Sequence, residues 1–323
     1  MSDGALMGAA LALAERGRGR TAPNPNVGCV IARHGRVIGR GWTQPGGRPH
    51  AEAVALAQAG AAAAGSTVYV TLEPCAHVSA RGPACADLLV AARPARIVAA
   101  LADPDPRTGG AGLDRLRAAG IEVVAGVRAA DAERVMAGFL TRQRRARPHV
   151  TLKLATSLDG RIAMADGSSR WITGGAARAH AHLERARAEL IVVGRRTFEI
   201  DQPTLDVRLP GLDDRSPRRA VLGSAPAPEG WLAFASPQEV ADIAQVDHVL
   251  VEGGSGAAAA FLAADLVDRL LWYRAPILIG AGTSALGGIG LDRLDDAHGR
   301  WLLVDSRMLG SDRLEVYERG GKR

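Results

Sequence analysis

Pro49-His-Ala-Glu52, and then Pro74-Cys75 and Cys85 after one helical and one strand-like stretch, are the residues whose reading decides the fold. One imidazole and two thiolates make three ligands, the number that holds Zn²⁺ tetrahedrally while leaving a fourth position for water. Zinc at His50, Cys75 and Cys85 would lower the pKa of that water toward neutrality, and Glu52 could move its proton. Residues two apart on a helix diverge by about 200°, so His50 and Glu52 can share a site only where a helix begins. Pro49 supplies such a start. The two cysteines are separated by Ala76 to Ala84, so a loop must bring Cys85 back to the metal. A closed structural site would need a fourth ligand, for which His77 is the nearest candidate; the open, catalytic reading needs none.

Outward from this stretch, helical and strand-like segments alternate along the chain as in an α/β protein. Strands are expected at 27–31 and 36–38 around His34-Gly35, at 67–72, 95–100 and 121–124. Helices are expected at 52–64, 84–92, 113–119 and 131–142. The run Arg142-Gln-Arg-Arg-Ala-Arg-Pro148 then breaks the pattern with charge and a proline, which suits a junction. The expected domains are 1–145 and 148–323. The second opens on a strand at 149–155 and continues with a helix near 176–188 and a fully apolar strand at 190–193. Later strands are expected at 220–222, 248–251 and 270–275, with loops at 223–230 and 280–290.

Composition agrees with two globular domains. The chain has 323 residues, 47% of them hydrophobic and 23% charged, about twice the usual domain length. No apolar run reaches the roughly 18 residues of a membrane span. The apolar start Met1 to Ala14 has Asp3 and no basic residue before it, so an amphipathic helix is expected rather than an export signal. Three cysteines suit a reducing compartment, and the expected location is the cytoplasm. The net charge of +6 comes from arginines scattered among acids, with aromatics at 4%. A solvated arginine-biased surface and a phosphorylated small substrate explain this better than nucleic acid does.

The H-x-E and P-C pattern is of the type found in zinc deaminases of nucleobases. More specifically, the chain resembles the bifunctional riboflavin-biosynthesis deaminase/reductase family. The resemblance rests on Pro23-Asn-Pro-Asn-Val-Gly28, His50-Ala-Glu52, Thr71-Leu-Glu-Pro-Cys-Ala-His77, Pro83-Ala-Cys-Ala-Asp87 and Asp103-Pro104. It implies a cytidine-deaminase-like α/β/α N-terminal domain in which His50, Cys75 and Cys85 bind zinc and Glu52 is the proton donor. Asn24 and Asp103 would hold the pyrimidine. Two departures concern substrate contacts. The loop between the cysteines is one residue longer than the common form and lacks its Thr-Pro-Pro, leaving Arg81 as the basic contact. Thr43 replaces a histidine often found in the second strand.

The C-terminal half has no G-x-G-x-x-G after a first strand, which argues against an ordinary Rossmann site. Val249-Leu-Val-Glu252 runs into Gly253-Gly-Ser-Gly256 and then an alanine-rich helix. Exposed N–H groups at such a helix start can receive a phosphate, although a tight turn explains the glycines equally well. Lys153, amid apolar neighbours, is read as facing substrate, with an edge strand and a solvated lysine as the plain alternative. The family resemblance covers Leu152-Lys-Leu-Ala-Thr-Ser-Leu-Asp-Gly160, Ser168-Ser-Arg-Trp-Ile-Thr173, Arg185, Thr197, Asp201 to Arg208 and Glu252-Gly-Gly254. It implies a dihydrofolate-reductase-like α/β domain that uses NADPH to reduce a ribosyl to a ribityl group. Ala155, Trp171, Thr197, Asp201, Ser224 and the turn Gly254, Ser255, Gly256 would contact NADPH. Ser169, Arg185, Leu205, Arg208 and Glu252 would contact the phosphorylated pyrimidine substrate, and Arg185 and Arg208 could each give paired hydrogen bonds to phosphate. The resemblance also implies a homo-oligomer. The segment 225–247 is much shorter than is usual in the family, so the alternative expectation is a deaminase alone, beside an impaired reductase domain.

Overall fold

A computed structural model describes residues 2–77 and 79–320. The chain divides into two compact units between Ala146 and Arg147. In the first, α1 (Asp3–Ala14) starts at Ser2, whose side chain accepts from Ala5 N. It buries Leu6, Met7, Ala10, Leu11 and Ala14, the one-sided spacing of a helix lying on a sheet. Then follow β1 (Gly28–Arg33) and β2 (Arg36–Trp42), paired antiparallel. Their two-residue turn is His34-Gly35, both at positive φ (50° and 74°), as the tight turn of a twisted hairpin demands.

Next come α2 (Ala51–Ala59), β3 (Thr67–Val70), α3 (Cys85–Ala92), β4 (Arg96–Ala99), α4 (Ala111–Ala118) and β5 (Glu122–Ala125). The sheet runs β2-β1-β3-β4-β5, with β3, β4 and β5 parallel. The expected long helix from residue 52 stops at Ala59, because Gly60 turns to positive φ and a short 3-10 segment takes over. Its seat is very close. A Cβ on Gly41 would stand 2.1 Å from Ala51 O, and one on Gly39 2.3 Å from Ala55 O. Only glycine lets α2 lie directly on β2 at these points.

The expected helix at 131–142 is two, α5 (Ala129–Val135) and α6 (Ala137–Arg145), divided at Met136. The arginine run does not break the helix at Arg142 as anticipated. Arginine is a good helix former, and α6 continues through it until Ala146 turns left-handed at φ 52°.

The second unit contains β6 (His149–Thr156), β7 (Arg161–Ala163), α7 (Gly175–Arg185), β8 (Leu190–Gly194), α8 (Arg195–Asp201), β9 (Arg218–Leu222) and β10 (Leu232–Phe234). It ends with β11 (His248–Val251), α9 (Ser255–Ala263), β12 (Val267–Arg274), β13 (Thr283–Ser284), β14 (Trp301–Leu309) and β15 (Asp312–Arg319). The main sheet has the order β10-β9-β8-β11-β6-β12-β15-β14. The strands from β10 to β12 are parallel and the last two antiparallel. The central strands β8 and β11 are buried along nearly their whole length, in keeping with an apolar run covered on both faces.

Arg147, the last arginine of the basic run, is not a surface charge. It makes two bonds to Asp268, at 2.6 and 2.8 Å, with both side chains about nine-tenths buried. Asp268 also accepts from Val150 N, so this pair fastens the start of β6 to β12. The stretch 280–290, expected to be all loop, contributes β13, which pairs with β7. The hairpin β14–β15 was signalled by no alternating pattern, and β14 leaves Leu302, Leu303, Val304 and Met308 exposed at the edge of the sheet.

Candidate active sites

In the first unit, three chain segments converge. His50 is the last extended residue before α2, the turn after β3 carries Cys75, and α3 opens with Cys85. His50 Nδ1 lies 3.6 Å from Cys75 Sγ and 3.3 Å from Cys85 Sγ, and the three atoms fall within 4.8 Å of one another. The hydrogen bond from Cys85, with His50 alongside, holds Cys75 down at about 4, favouring the thiolate. The same bond and burial push Cys85 up. One nitrogen and two sulfurs gathered at this spacing are a donor set that suits a zinc ion. His77 stands apart, with Nδ1 3.3 Å from Thr108 Oγ1.

Glu52 follows in the first turn of α2 and is 3% exposed. Burial pushes its carboxyl above the ordinary range, against the pull of His50. A carboxyl that keeps its proton nearer neutrality is suited to general acid–base work. Asn24 Nδ2 lies 3.2 Å from His50 Nε2, so this side chain sits beside the cluster. When Nδ1 ligates a metal, Nε2 carries the ring proton, and the Asn24 amide accepts it with its oxygen and nitrogen exchanged from this orientation. Asp103 is buried beyond the end of β4, its carboxyl pushed up to about 6 chiefly by burial. Thr43 is turned inward, its Oγ1 accepting from Val27 N at 3.0 Å. Arg81 is exposed, and its Nη2 donates to Gly46 O at 2.8 Å.

Glu73 was passed over in the motif that contains it. Its buried carboxylate accepts from four backbone N–H groups, those of Asp103, Gly110, Gly112 and Leu113, at 2.9–3.2 Å. It ties both ends of the loop that carries Asp103 to the turn that carries Cys75. A carboxylate in an otherwise apolar run was the only available signal.

In the second unit a cavity of about 860 Å³ opens at the C-terminal ends of the parallel strands, where ligands of open α/β sheets bind. Its floor includes Lys153 and Ala155 of β6, with Glu252 and Gly254 just after β11. Ser169 and Trp171 stand on the preceding loop, Trp171 66% exposed with the Arg178 guanidinium 4.9 Å from its ring. Thr197 and Asp201 of α8, and Leu205 and Arg208 after it, complete the expected wall. Ser224, Ser255 and Gly256 lie outside the lining. His182 and Tyr273 line it without having been anticipated.

Lys153 is on a central strand, which removes the edge-strand reading. Its Nζ is 3.7 Å from Glu252 Oε2, and Arg185 binds both oxygens of Glu252. Although burial alone would raise it, Lys153 and then Arg185 hold Glu252 down at about 2. The paired face of Arg185 is therefore taken by Glu252 rather than open to a phosphate, and its Nη1 donates to Asp206 O. Arg208 is engaged by Thr204 and Asp206.

The glycine turn is packed tightly against its neighbours. A Cβ on Gly253 would meet Ala257 Cβ at 2.7 Å, and one on Gly254 would meet Thr197 Oγ1 at 3.1 Å. Gly254 N donates to Thr197 Oγ1, holding the turn open at the start of the nine-residue α9. N–H groups left unbonded at a helix start can donate to phosphate oxygens. The short segment 225–247 still supplies β10, parallel to β9, and a 3-10 turn closed by the Ser236–Glu239 capping box.

Both units match known proteins. Residues 1–101 match the cytidine and deoxycytidylate deaminase zinc-binding region, and residues 148–313 match the RibD C-terminal domain. The chain is 40% identical to the riboflavin biosynthesis protein RibD of Escherichia coli, over 92% of this chain and 94% of that one. It is 41% identical to RibD of Mycobacterium tuberculosis, over 95% of each. Among solved structures, Acinetobacter baumannii RibD superposes with a TM-score of 0.85 at 36% identity, over 99% of both chains. A Thermotoga maritima diaminohydroxyphosphoribosylaminopyrimidine deaminase/5-amino-6-(5-phosphoribosylamino)uracil reductase does so at 0.88 and 30% identity, over 98% of both.

Proposed function

The chain belongs to the RibD family of bifunctional riboflavin-biosynthesis enzymes, a zinc deaminase joined to an NADPH-dependent reductase, and we propose how its own residues divide the two reactions. Residues 1–145 carry the deaminase and residues 148–323 the reductase. The substrate of the first is 2,5-diamino-6-(5-phosphoribosylamino)pyrimidin-4-one, in accord with the activity named for the Thermotoga relative. The observation that carries this reading is the convergence of His50, Cys75 and Cys85 beside the buried Glu52.

In the deaminase, His50, Cys75 and Cys85 hold the metal. Zn²⁺ bound there supplies water activated for attack near neutral pH. With the metal bound, the Glu52 carboxyl would carry a proton from water to the departing 2-amino nitrogen, water and the amino compound giving the carbonyl product and ammonia. Asn24 orients the His50 ring. Asp103 and Arg81 contact the substrate.

In the reductase, NADPH supplies the hydride that converts the ribosyl to the ribityl side chain. Ser255 and Gly256, which open α9 next to the lining residue Gly254, receive its phosphates, with Ala155, Trp171, Thr197 and Asp201 along its length; Ser224 stands outside the cavity lining. Glu252, fixed as the carboxylate by Arg185 and Lys153, orients the pyrimidine, with Ser169, Leu205 and Arg208 completing the substrate side. The deaminase-only alternative is not favoured, since the reductase family model spans residues 148–313 and the short segment keeps its strand in the sheet.

The chain acts as a homo-oligomer. Support comes from β14, an edge strand with exposed Leu302, Leu303, Val304 and Met308, the kind of edge that natural proteins cover. A cytoplasmic location suits its three free cysteines, and no described helix is long and apolar enough to cross a membrane. A small phosphorylated substrate rather than nucleic acid is the partner this reading expects; ion pairs such as Arg96 with Asp3 and Glu122, and Arg115 with Asp87, are in keeping with it.

A two-stage assay tests the whole reading. Zinc-loaded protein is given the diaminopyrimidinone phosphate and ammonia is followed; NADPH is then added and its oxidation followed. Ammonia release and then NADPH consumption is the expected result. Release without consumption would overturn the reductase assignment.

A further inference from the structure

Among the described residues, one basic side chain near the His50–Cys75–Cys85 cluster makes no ion pair. Arg48 stands two residues before His50, extended (φ −149°, ψ 151°) after the 3-10 turn Pro45–Gly47. Its guanidinium reaches the loop between the two cysteine ligands, where a Cβ on Gly82 would lie 3.0 Å from Nη1. Among the described residues no carboxylate, carbonyl or ring pairs with it. Arg81, next to Gly82, donates to Gly46 O, two residues from Arg48. Two cations are thus brought to the same rim, and neither has an ion-pair partner among the described residues. An anion between them would offset their like charge. Guanidinium groups suit phosphate, whose oxygens match their forked donors. The position that often carries a histidine in the family cannot serve here, because Thr43 is buried and bonded to Val27 N.

We propose that Arg48, together with Arg81, receives the 5′-phosphate of the deaminase substrate and so selects the phosphorylated over the dephosphorylated compound. The assignment rests on the deaminase reading above. With the pyrimidine amino group directed at the cluster, the phosphate is the far end of the substrate and belongs at the rim.

The test compares ammonia release from the ribosylaminopyrimidine phosphate and from the same compound without its phosphate, using the zinc-loaded full chain. Arg48→Gln is expected to raise KM for the phosphorylated compound by ~10-fold or more, the loss of one charged hydrogen-bond pair. It should leave kcat within about two-fold, as expected for uniform binding. Kinetics on the dephosphorylated compound and zinc content should not change, and Arg48→Lys should recover part of the loss. Inorganic phosphate should compete with substrate in the parent and only weakly in Arg48→Gln. Equal losses on both compounds, or none on either, would overturn the role of Arg48. A parent protein that releases no ammonia from either compound would instead overturn the deaminase reading on which it rests.

Discussion

Arg185 and Glu252 meet through two parallel hydrogen bonds, Nε to Oε1 at 2.7 Å and Nη2 to Oε2 at 2.9 Å, across 67 positions of sequence. This joins α7 to the end of β11 and gives the cavity a floor in which the carboxylate is fixed and the lysine beside it, Lys153, carries the remaining positive charge.

Replacing Glu252 by Gln removes a buried charge and leaves Arg185 and Lys153 facing each other. Breaking a buried pair by removing one partner costs about 3–5 kcal/mol. NADPH oxidation with supplied deaminated substrate should fall by at least ~100-fold, while ammonia release is unchanged. Because Glu252 is held down at about 2 against an ordinary 4.5, its stabilising contribution is complete above about pH 4.5 and lost as pH falls toward 2. Acid unfolding of the reductase unit, followed by circular dichroism, should therefore show a smaller acid-side loss in the variant. An equal acid-side loss in both proteins would remove Glu252 from the explanation.

Glu52→Gln keeps the size of the side chain and removes its proton-carrying capacity. Zinc content by metal analysis should match the parent. Ammonia release should drop by ~10²–10⁴, the usual range for a lost general acid–base. Reduction of supplied deaminated substrate should persist. Loss of both activities in a folded protein would contradict separate sites.

Glu73→Ala strands four backbone donors in a buried turn, where an unsatisfied group costs about 1–3 kcal/mol. The first unit should melt at lower temperature, and deamination should weaken through KM because the Asp103 loop is released. Zinc stoichiometry at saturating metal should hold. A variant with parent-like melting and KM would show that the clamp carries no strain-bearing role.

Glu189 offers a test on the alkaline side of the acid range. It accepts from His248 N and Asp247 N at the start of β11, and burial pushes its carboxyl up to about 7 from 4.5. The folded chain then binds the proton more tightly than the unfolded chain, so this group makes stability fall as pH rises from about 4.5 to 7. Thermal midpoints across that window should decline less in Glu189→Gln than in the parent. Parallel curves would place the origin of any decline elsewhere.

The metal centre was readable because chemistry dictates residue type as well as spacing: His50 and Glu52 had to straddle a helix start, and two cysteines had to return to one point. The β1–β2 hairpin was readable from His34-Gly35 for the same local reason. What escaped notice depends on distant partners. Nothing near Glu73 foretells that its acceptors serve N–H groups of residues 103–113, and Arg185 alone reads as a phosphate ligand until Glu252 is brought to it. Helix α6 runs through an arginine stretch that locally resembles a linker, because each arginine is exposed or paired within the fold. Strand β14 escaped because its apolar residues do not alternate; Trp301 and Leu309 at its ends are partly buried, while Leu302, Leu303, Val304 and Met308 stay exposed along the sheet edge.

The contact of α2 with β2 carries a further consequence. Gly41 stands under Ala51, the residue between His50 and Glu52, and Gly39 stands one turn further along. A methyl group at either position must lift the helix and, with it, the imidazole and the carboxyl together. The alignment of nucleophile and proton carrier is thereby governed from the strand beneath, at two positions that touch neither metal nor substrate. Substitutions at these two positions reach the centre without changing any residue in it.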